Sequence, residues 1–331
     1  MAQLVKVRKV RVVGTGSFVP ARIVSNAELE RSVPTSDAWI RENLGISERR
    51  VAEASQCTST LAIEAGRRAI ENAGIQPTDL DMVILATATP DRLAPATAPR
   101  VQAALGASNA AAFDLNAVCT GFIYGLTVGA QFVGTGASHN VLVIGADTFS
   151  RITDWTRRDC VFFGDGAGAA VMSASTDDSG FMCTRLYADG GGFESFTVPA
   201  GGSEMPASCE TVSAGLHNFR MNGRTVYETA VEVIPAALRS VLAEAGLSAE
   251  DIDHVVPHQP SIRILEESAR RIGIPFSKFG TNMDRYANTS SATIPILLDE
   301  MWRSGRIARG DLVALVAVGA GWTWGAALLR W

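Results

Sequence analysis

Ala73-Gly-Ile-Gln-Pro-Thr-Asp-Leu-Asp81 returns without a gap as Ala245-Gly-Leu-Ser-Ala-Glu-Asp-Ile-Asp253, 172 residues further along the chain. Each copy closes a helix-like segment (61–72 and 227–244) at a glycine stop signal. Each then opens an apolar run, Met82-Val-Ile-Leu-Ala86 in one case and His254-Val-Val256 in the other. Two echoes keep nearly the same spacing. Gly145-Ala146 and Gly319-Ala320 each follow a buried-strand run, 174 residues apart, and Cys119 shifted by 172 falls on Ser291, inside Asn288-Thr-Ser-Ser-Ala-Thr293. The pattern predicts two similar α/β halves, 1–175 and 176–331, layered as an αβαβα sandwich, with a cysteine of the first half facing a polar turn of the second. Strands rich in Val, Ile and Leu fit a largely buried sheet.

A chain of 331 residues is long enough for one large or two intimate domains. With 47% hydrophobic and 19% charged residues it is too apolar for disorder, and its 31 glycines exclude a coiled coil. The longest apolar runs, 140–146 and 311–318, fall well short of the roughly 20 residues that cross a bilayer, so no membrane span is expected. Met1-Ala-Gln-Leu-Val-Lys-Val-Arg-Lys-Val10 interleaves charge with valine and reads as the first strand of a cytoplasmic protein rather than a signal peptide. A net charge of −5 argues against nucleic acid as the main partner. Lys6, Lys9 and Lys278 are the only lysines, so arginine supplies nearly all the positive charge, and some of these forks are suited to phosphates. The five cysteines include no CxxC pair and the four histidines no i, i+4 pair, so neither a disulfide framework nor a zinc site is suggested.

In Phe113-Asp-Leu-Asn-Ala-Val-Cys-Thr-Gly-Phe-Ile-Tyr-Gly125 an apolar strand runs through small residues into a helix-like stretch. Cys119 then sits at a helix N-terminus, where dipole and free N–H groups favour the thiolate that attacks thioesters. The alternative is a buried structural cysteine. His258, in Val255-Val-Pro-His-Gln-Pro-Ser261, follows a short strand between prolines, which suits either a fixed active-site ring or a hydrogen-bonded structural histidine. Asn288 opens a turn-like cluster whose bland reading is helix capping. Gly319-Ala-Gly-Trp-Thr-Trp-Gly325 suits a backbone N–H placed near a developing oxyanion, or an ordinary strand connection. Phe163-Gly-Asp-Gly-Ala-Gly-Ala169 lacks Lys-Ser/Thr and Gly14-Thr-Gly-Ser-Phe-Val19 lacks a third glycine, so neither supports nucleotide binding.

Together, Asp114-Leu-Asn-Ala-Val-Cys-Thr-Gly121, His258-Gln-Pro260, Asn288-Thr-Ser-Ser-Ala292, Phe163-Gly-Asp-Gly-Ala-Gly168 and Gly321-Trp-Thr-Trp-Gly325 resemble the β-ketoacyl-acyl-carrier-protein synthase III family of the thiolase superfamily. The resemblance runs from Val13 to Arg330 and implies a thiolase-like duplicated fold, which accounts for the repeat. It implies an acyltransferase that initiates fatty acid or polyketide synthesis by decarboxylative condensation of an acyl thioester with malonyl-acyl carrier protein. Cys119 is then the acylated nucleophile, the backbone N–H groups of Cys119 and Ala320 the oxyanion donors, and His258 and Asn288 the groups that hold the malonyl thioester carbonyl. No metal or redox cofactor is implied.

The resemblance also implies a homodimer and contacts with acyl-CoA and acyl carrier protein. Trp39 matches the residue that stacks on the CoA adenine and Arg157 an arginine flanking the same ring, whereas the second flanking arginine falls on Asn43; that departure favours a carrier protein over CoA as acyl donor. Arg263, Arg270 and Arg271 match a basic patch for an acidic carrier, interrupted by Glu228. The bulky cap of the acyl tunnel, contributed by the neighbouring subunit, falls on Ala94, and its loss implies tolerance of medium-chain acyl groups. Two rival functions are an acyltransferase passing the acyl group to an alcohol or amine, which could dispense with Asn288, and an idle carrier- or synthase-binding partner, which would lack the nucleophile.

Overall fold

The computed structural model describes residues 8–331. One sheet contains β1 (Val10–Phe18), β2 (Met82–Ala86), β3 (Ala111–Leu115), β4 (Asn140–Thr148) and β5 (Asp165–Ala174), in the spatial order β1-β5-β4-β2-β3. The other contains β6 (Gly180–Ala188), β7 (His254–Pro257), β8 (Leu312–Gly319) and β9 (Thr323–Arg330), in the order β6-β9-β8-β7. The two sheets share one plan. Met82 pairs with Val141 across parallel β2 and β4, and His254 pairs with Val313 across parallel β7 and β8, both partners moved by the 172-residue repeat. Where β3 completes the first sheet, the second keeps a single bridge between Val255 and Phe279.

The repeated letters have a physical reason. The helices α2 (Thr58–Ala73) and α4 (Gly223–Ala245) end at left-handed glycines, Gly74 at φ 68° and Gly246 at φ 67°. Asp79 and Asp251 then accept the backbone N–H of Gln76 and Ser248, closing a tight turn. Asp81 and Asp253 accept the N–H of Asn140 (3.0 Å) and Leu312 (2.8 Å), which pins the start of the neighbouring parallel strand.

The expected strand over 1–10 lies outside the described residues for 1–7, and the observed strand begins at Val10. The two glycine-rich segments set aside above meet each other in the first sheet. Gly14-Thr-Gly-Ser-Phe18 and Asp165-Gly-Ala-Gly-Ala169 are paired antiparallel strands, with Ser17 opposite Gly168.

The middle helical layer consists of α3 (Gly121–Thr135) and α6 (Thr293–Arg303), packed between the sheets. The outer layers hold α2 against the first sheet and α4 with α5 (Ile262–Ile272) against the second, while α1 (Asp37–Leu44) packs on α5. The architecture is the thiolase-like αβαβα sandwich. The stretch Val118–Thr135 is long and apolar enough to cross a membrane, a feature the run-length reading passed over, and the fold uses it as this central helix with more than half of it buried. We propose the division between the halves at 175/176, in the turn between the ends of β5 and β6.

Two glycines let the halves meet. A Cβ on Gly145 would stand 2.3 Å from the Ser291 carbonyl oxygen, and one on Gly319 would stand 3.0 Å from the Ala117 oxygen and the Cys119 nitrogen. Each sheet thus receives the other half's turn against bare backbone. Gly145→Ala is expected to cost about 1–3 kcal/mol by forcing this contact apart and to lower turnover. Thermal unfolding beside wild type checks it, and an unchanged midpoint would rule the contact out as a constraint.

Candidate active site

Cys119 lies in a single turn, Val118–Thr120, that leads directly into α3. Val118 is held at φ 48°, a region that β-branched residues rarely adopt, and the matching position 172 residues on, Ser290, is held at φ 54°. Both turns are therefore strained elbows that present their next residues at the junction of the halves. The thiol meets Ser290, with Sγ 3.7 Å from its Oγ, whereas Ser291 turns the other way. Its amide and hydroxyl donate to Asp147 Oδ2 at 3.0 and 2.7 Å.

Strand β7 ends at Pro257, and the next residue, His258, is anchored by its N–H to the Val316 oxygen (2.8 Å). Its Nδ1 lies 2.8 Å from Thr293 Oγ1. Asn288 is not a helix cap. Its backbone bridges Phe162 and Gly164, and its side-chain Oδ1 accepts the N–H of Ser290 at 2.8 Å, which turns Nδ2 toward His258 Nε2 at 3.4 Å. Cys119, His258 and Asn288 line one cavity of about 230 Å³, together with Gly319, Ala320 and Trp39. All three are buried. Gly319 has no side chain to obstruct the Cys119 amide.

Burial decides the resting charge state. It pushes the Cys119 thiol up to about 12, with the nearby Asp147 carboxylate adding to the shift and the Ser290 hydroxyl opposing it, and it pushes the His258 imidazole down to about 3. Burial thus opposes the thiolate that a helix N-terminus favours. Neutral thiol and neutral imidazole face the cavity.

The remaining sequence-derived positions divide. Trp39, Asn43 and Arg263 line the cavity, with Asn43 Nδ2 donating to the Trp39 oxygen (2.8 Å). Arg157 does not line it. Asp159 holds Arg157 through two contacts of 2.9 and 3.3 Å, and the guanidinium over the Trp39 ring, at 4.1 Å, belongs to Arg158. Arg270 and Arg271 both pair with Glu267, and Arg263 pairs with Glu42. Glu228, expected to interrupt the basic patch, is matched by Arg224 one turn away. Ala94 is exposed on its loop and does not line the Cys119 cavity within one chain. The sequence reading missed the phenylalanines. Phe163 and Phe196 wall the cavity and stack with Phe149 and Phe219 behind them. Only Phe163 belonged to a quoted motif.

Residues 113–190 match the family model 3-Oxoacyl-[acyl-carrier-protein (ACP)] synthase III, and residues 242–331 match the model of its C-terminal part. A β-ketoacyl-[acyl-carrier-protein] synthase III of Caldanaerobacter subterraneus subsp. tengcongensis is 50% identical over 321 residues, covering 97% of each chain. The chain belongs to the 3-oxoacyl-[acyl-carrier-protein] synthase III family. A synthase III of Rhizorhabdus wittichii is likewise 50% identical, over 98% of this enzyme and the whole of the relative. The crystal structure of 3-oxoacyl-[acyl-carrier-protein] synthase III from Aquifex aeolicus superposes with a TM-score of 0.90 at 40% identity, covering 97% of this enzyme and all of that chain.

In the empty enzyme, alkylation of Cys119 by iodoacetamide is expected to keep rising with pH through the neutral and mildly alkaline range, because burial keeps the thiol protonated there. A rate that levels off near neutrality would show a preformed thiolate.

Proposed function

We propose that the enzyme condenses an acyl thioester with malonyl-acyl carrier protein, through an acyl group carried on Cys119. The observation that carries this reading is the convergence of Asn288 Nδ2 and His258 Nε2, 3.4 Å apart, in the cavity that holds the Cys119 thiol. Two nitrogens so placed can both donate to one carbonyl oxygen between them.

In the first half-reaction the Cys119 sulfur attacks the donor carbonyl, the N–H groups of Cys119 and Ala320 hold the oxyanion, and the donor thiol leaves with the cysteine's proton. In the second, His258 and Asn288 hold the malonyl thioester oxygen. The C–C bond to the carboxylate breaks, CO₂ departs, and the electron pair left on the α-carbon attacks the acyl-Cys119 carbonyl, expelling the thiolate. Asn288 supports condensation over simple acyl transfer to an alcohol or amine, which has no enolate to hold. The intact nucleophile opposes the idle-partner reading.

The lining of the cavity supports a carrier as acyl donor, because Arg158 already covers a face of Trp39 and Asn43 stands where a second arginine would supply a cation. Arg263, Arg270 and Arg271 are the proposed carrier contacts. Their present ion pairs are solvent-exposed and can yield to an acidic partner. A homodimer is supported by edge strand β3, whose Phe113 and Leu115 are half-buried, and by Leu93, 86% exposed beside Ala94. In that assembly Ala94 of a second copy would border the acyl pocket and admit medium chains. Five unpaired cysteines support a cytoplasmic site of action.

Intact-mass measurement with acyl-CoA and acyl-carrier donors of graded chain length tests the reading. Wild type is expected to gain acyl mass, more readily from the carrier and including medium chains, and to lose it when malonyl-acyl carrier protein is added. Cys119→Ala should gain none. His258→Ala and Asn288→Ala should load but condense about 10²–10³-fold more slowly. Loading of Cys119→Ala, or acetyl-only loading, would overturn the nucleophile or the chain-length assignment respectively.

A further inference from the structure

The geometry points to Thr293 as the positioning residue that keeps the His258 proton on Nε2, where condensation uses it; this rests on the donor role proposed for His258. Thr293 Oγ1 is 2.8 Å from His258 Nδ1 and 2.9 Å from the Ser290 carbonyl oxygen, and it has one proton to give. If the hydroxyl donates to Ser290, it must accept from Nδ1–H, and Nε2 is left bare. If it donates to Nδ1, the proton stays on Nε2.

The donor role of His258 requires the second arrangement, and two observations allow it. The Ser290 oxygen already receives the backbone N–H of Thr293, so it is not orphaned when the hydroxyl turns away. On the other side of the ring, Asn288 is fixed with its NH₂ toward Nε2 because its oxygen accepts from Ser290 N–H. The resulting N···N distance of 3.4 Å exceeds the usual range of a made hydrogen bond. It suits two donors waiting for one shared acceptor. A bare Nε2 would leave the thioester oxygen with Asn288 alone. Thr293 is itself buried, so no bulk water competes for Nδ1.

The reaction therefore depends on a hydroxyl that never touches substrate. Thr293→Val keeps the shape and removes the hydroxyl, whereas Thr293→Ser keeps the hydroxyl. Thr293→Val is expected to lower the condensation kcat about ten-fold, with the rate of Cys119 loading and the donor KM unchanged, and Thr293→Ser to restore it. In enzyme labelled with ¹⁵N-histidine, NMR should report a protonated Nε2 and a bare Nδ1 in wild type and Thr293→Ser, and loss of that preference in Thr293→Val. A wild-type proton on Nδ1 overturns the proposal, as does a Thr293→Val variant with normal condensation. Loading and condensation falling together would assign Thr293 a merely structural part and overturn it too. His258→Ala with normal condensation would instead defeat the donor role beneath the proposal, leaving the tautomer measured by NMR standing on its own.

Discussion

Everything at the centre of this enzyme hangs on a fully buried carboxylate, Asp147, at the end of β4. One of its oxygens accepts the amides of Ala88 and Thr89 and the hydroxyls of Thr87 and Thr89, and the other accepts the amide and hydroxyl of Ser291. The first four donors belong to the half that carries Cys119 and the last two to the half that carries His258 and Asn288. A buried carboxylate left without partners is costly, whereas one with this many donors holds them all in place. The turn at Ser291 is thereby fixed against bare Gly145, and with it Asn288, Ser290 and Thr293 on either side.

That arrangement explains how a neutral, apolar site can perform chemistry on charges. The cavity disfavours both a thiolate and an imidazolium at rest, and in the proposed reaction ionisation is coupled to the arrival of a thioester that can accept the developing charge. What the protein supplies in advance is direction. Backbone strain at Val118 and Ser290 is maintained because the halves clamp both turns, and dipoles aimed at one point need no rearrangement when charge appears.

The rim follows a different logic. Its arginines are paired with their own chain's carboxylates, and Arg158 stacks on Trp39 rather than standing free. Solvated pairs of this kind exchange partners at little cost, so the rim can rearrange while the interior keeps its contacts.

The duplicated αβαβα plan was legible in the chain because Asp79, Asp81, Gly74 and their counterparts act locally: a glycine stops a helix, one aspartate closes a turn, another pins the next strand. Cys119, His258 and Asn288 each lie in a segment of small and turn-forming residues, but each segment alone also fitted a structural role, and only the resemblance to a family singled the three out together. The sequence by itself determined those elements and the chemical types available to them. Only the tertiary structure decided that the thiol meets Ser290 instead of Ser291, that Arg158 lies over Trp39 while Asp159 holds Arg157, that Phe163 and Phe196 wall the cavity backed by Phe149 and Phe219, and that the rim arginines are self-paired. The physical reason is that side-chain direction and long-range partnership depend on how strained turns and layers are set against one another. No local propensity records that, and a rotation of one residue in a turn sends the next side chain to a different half of the molecule.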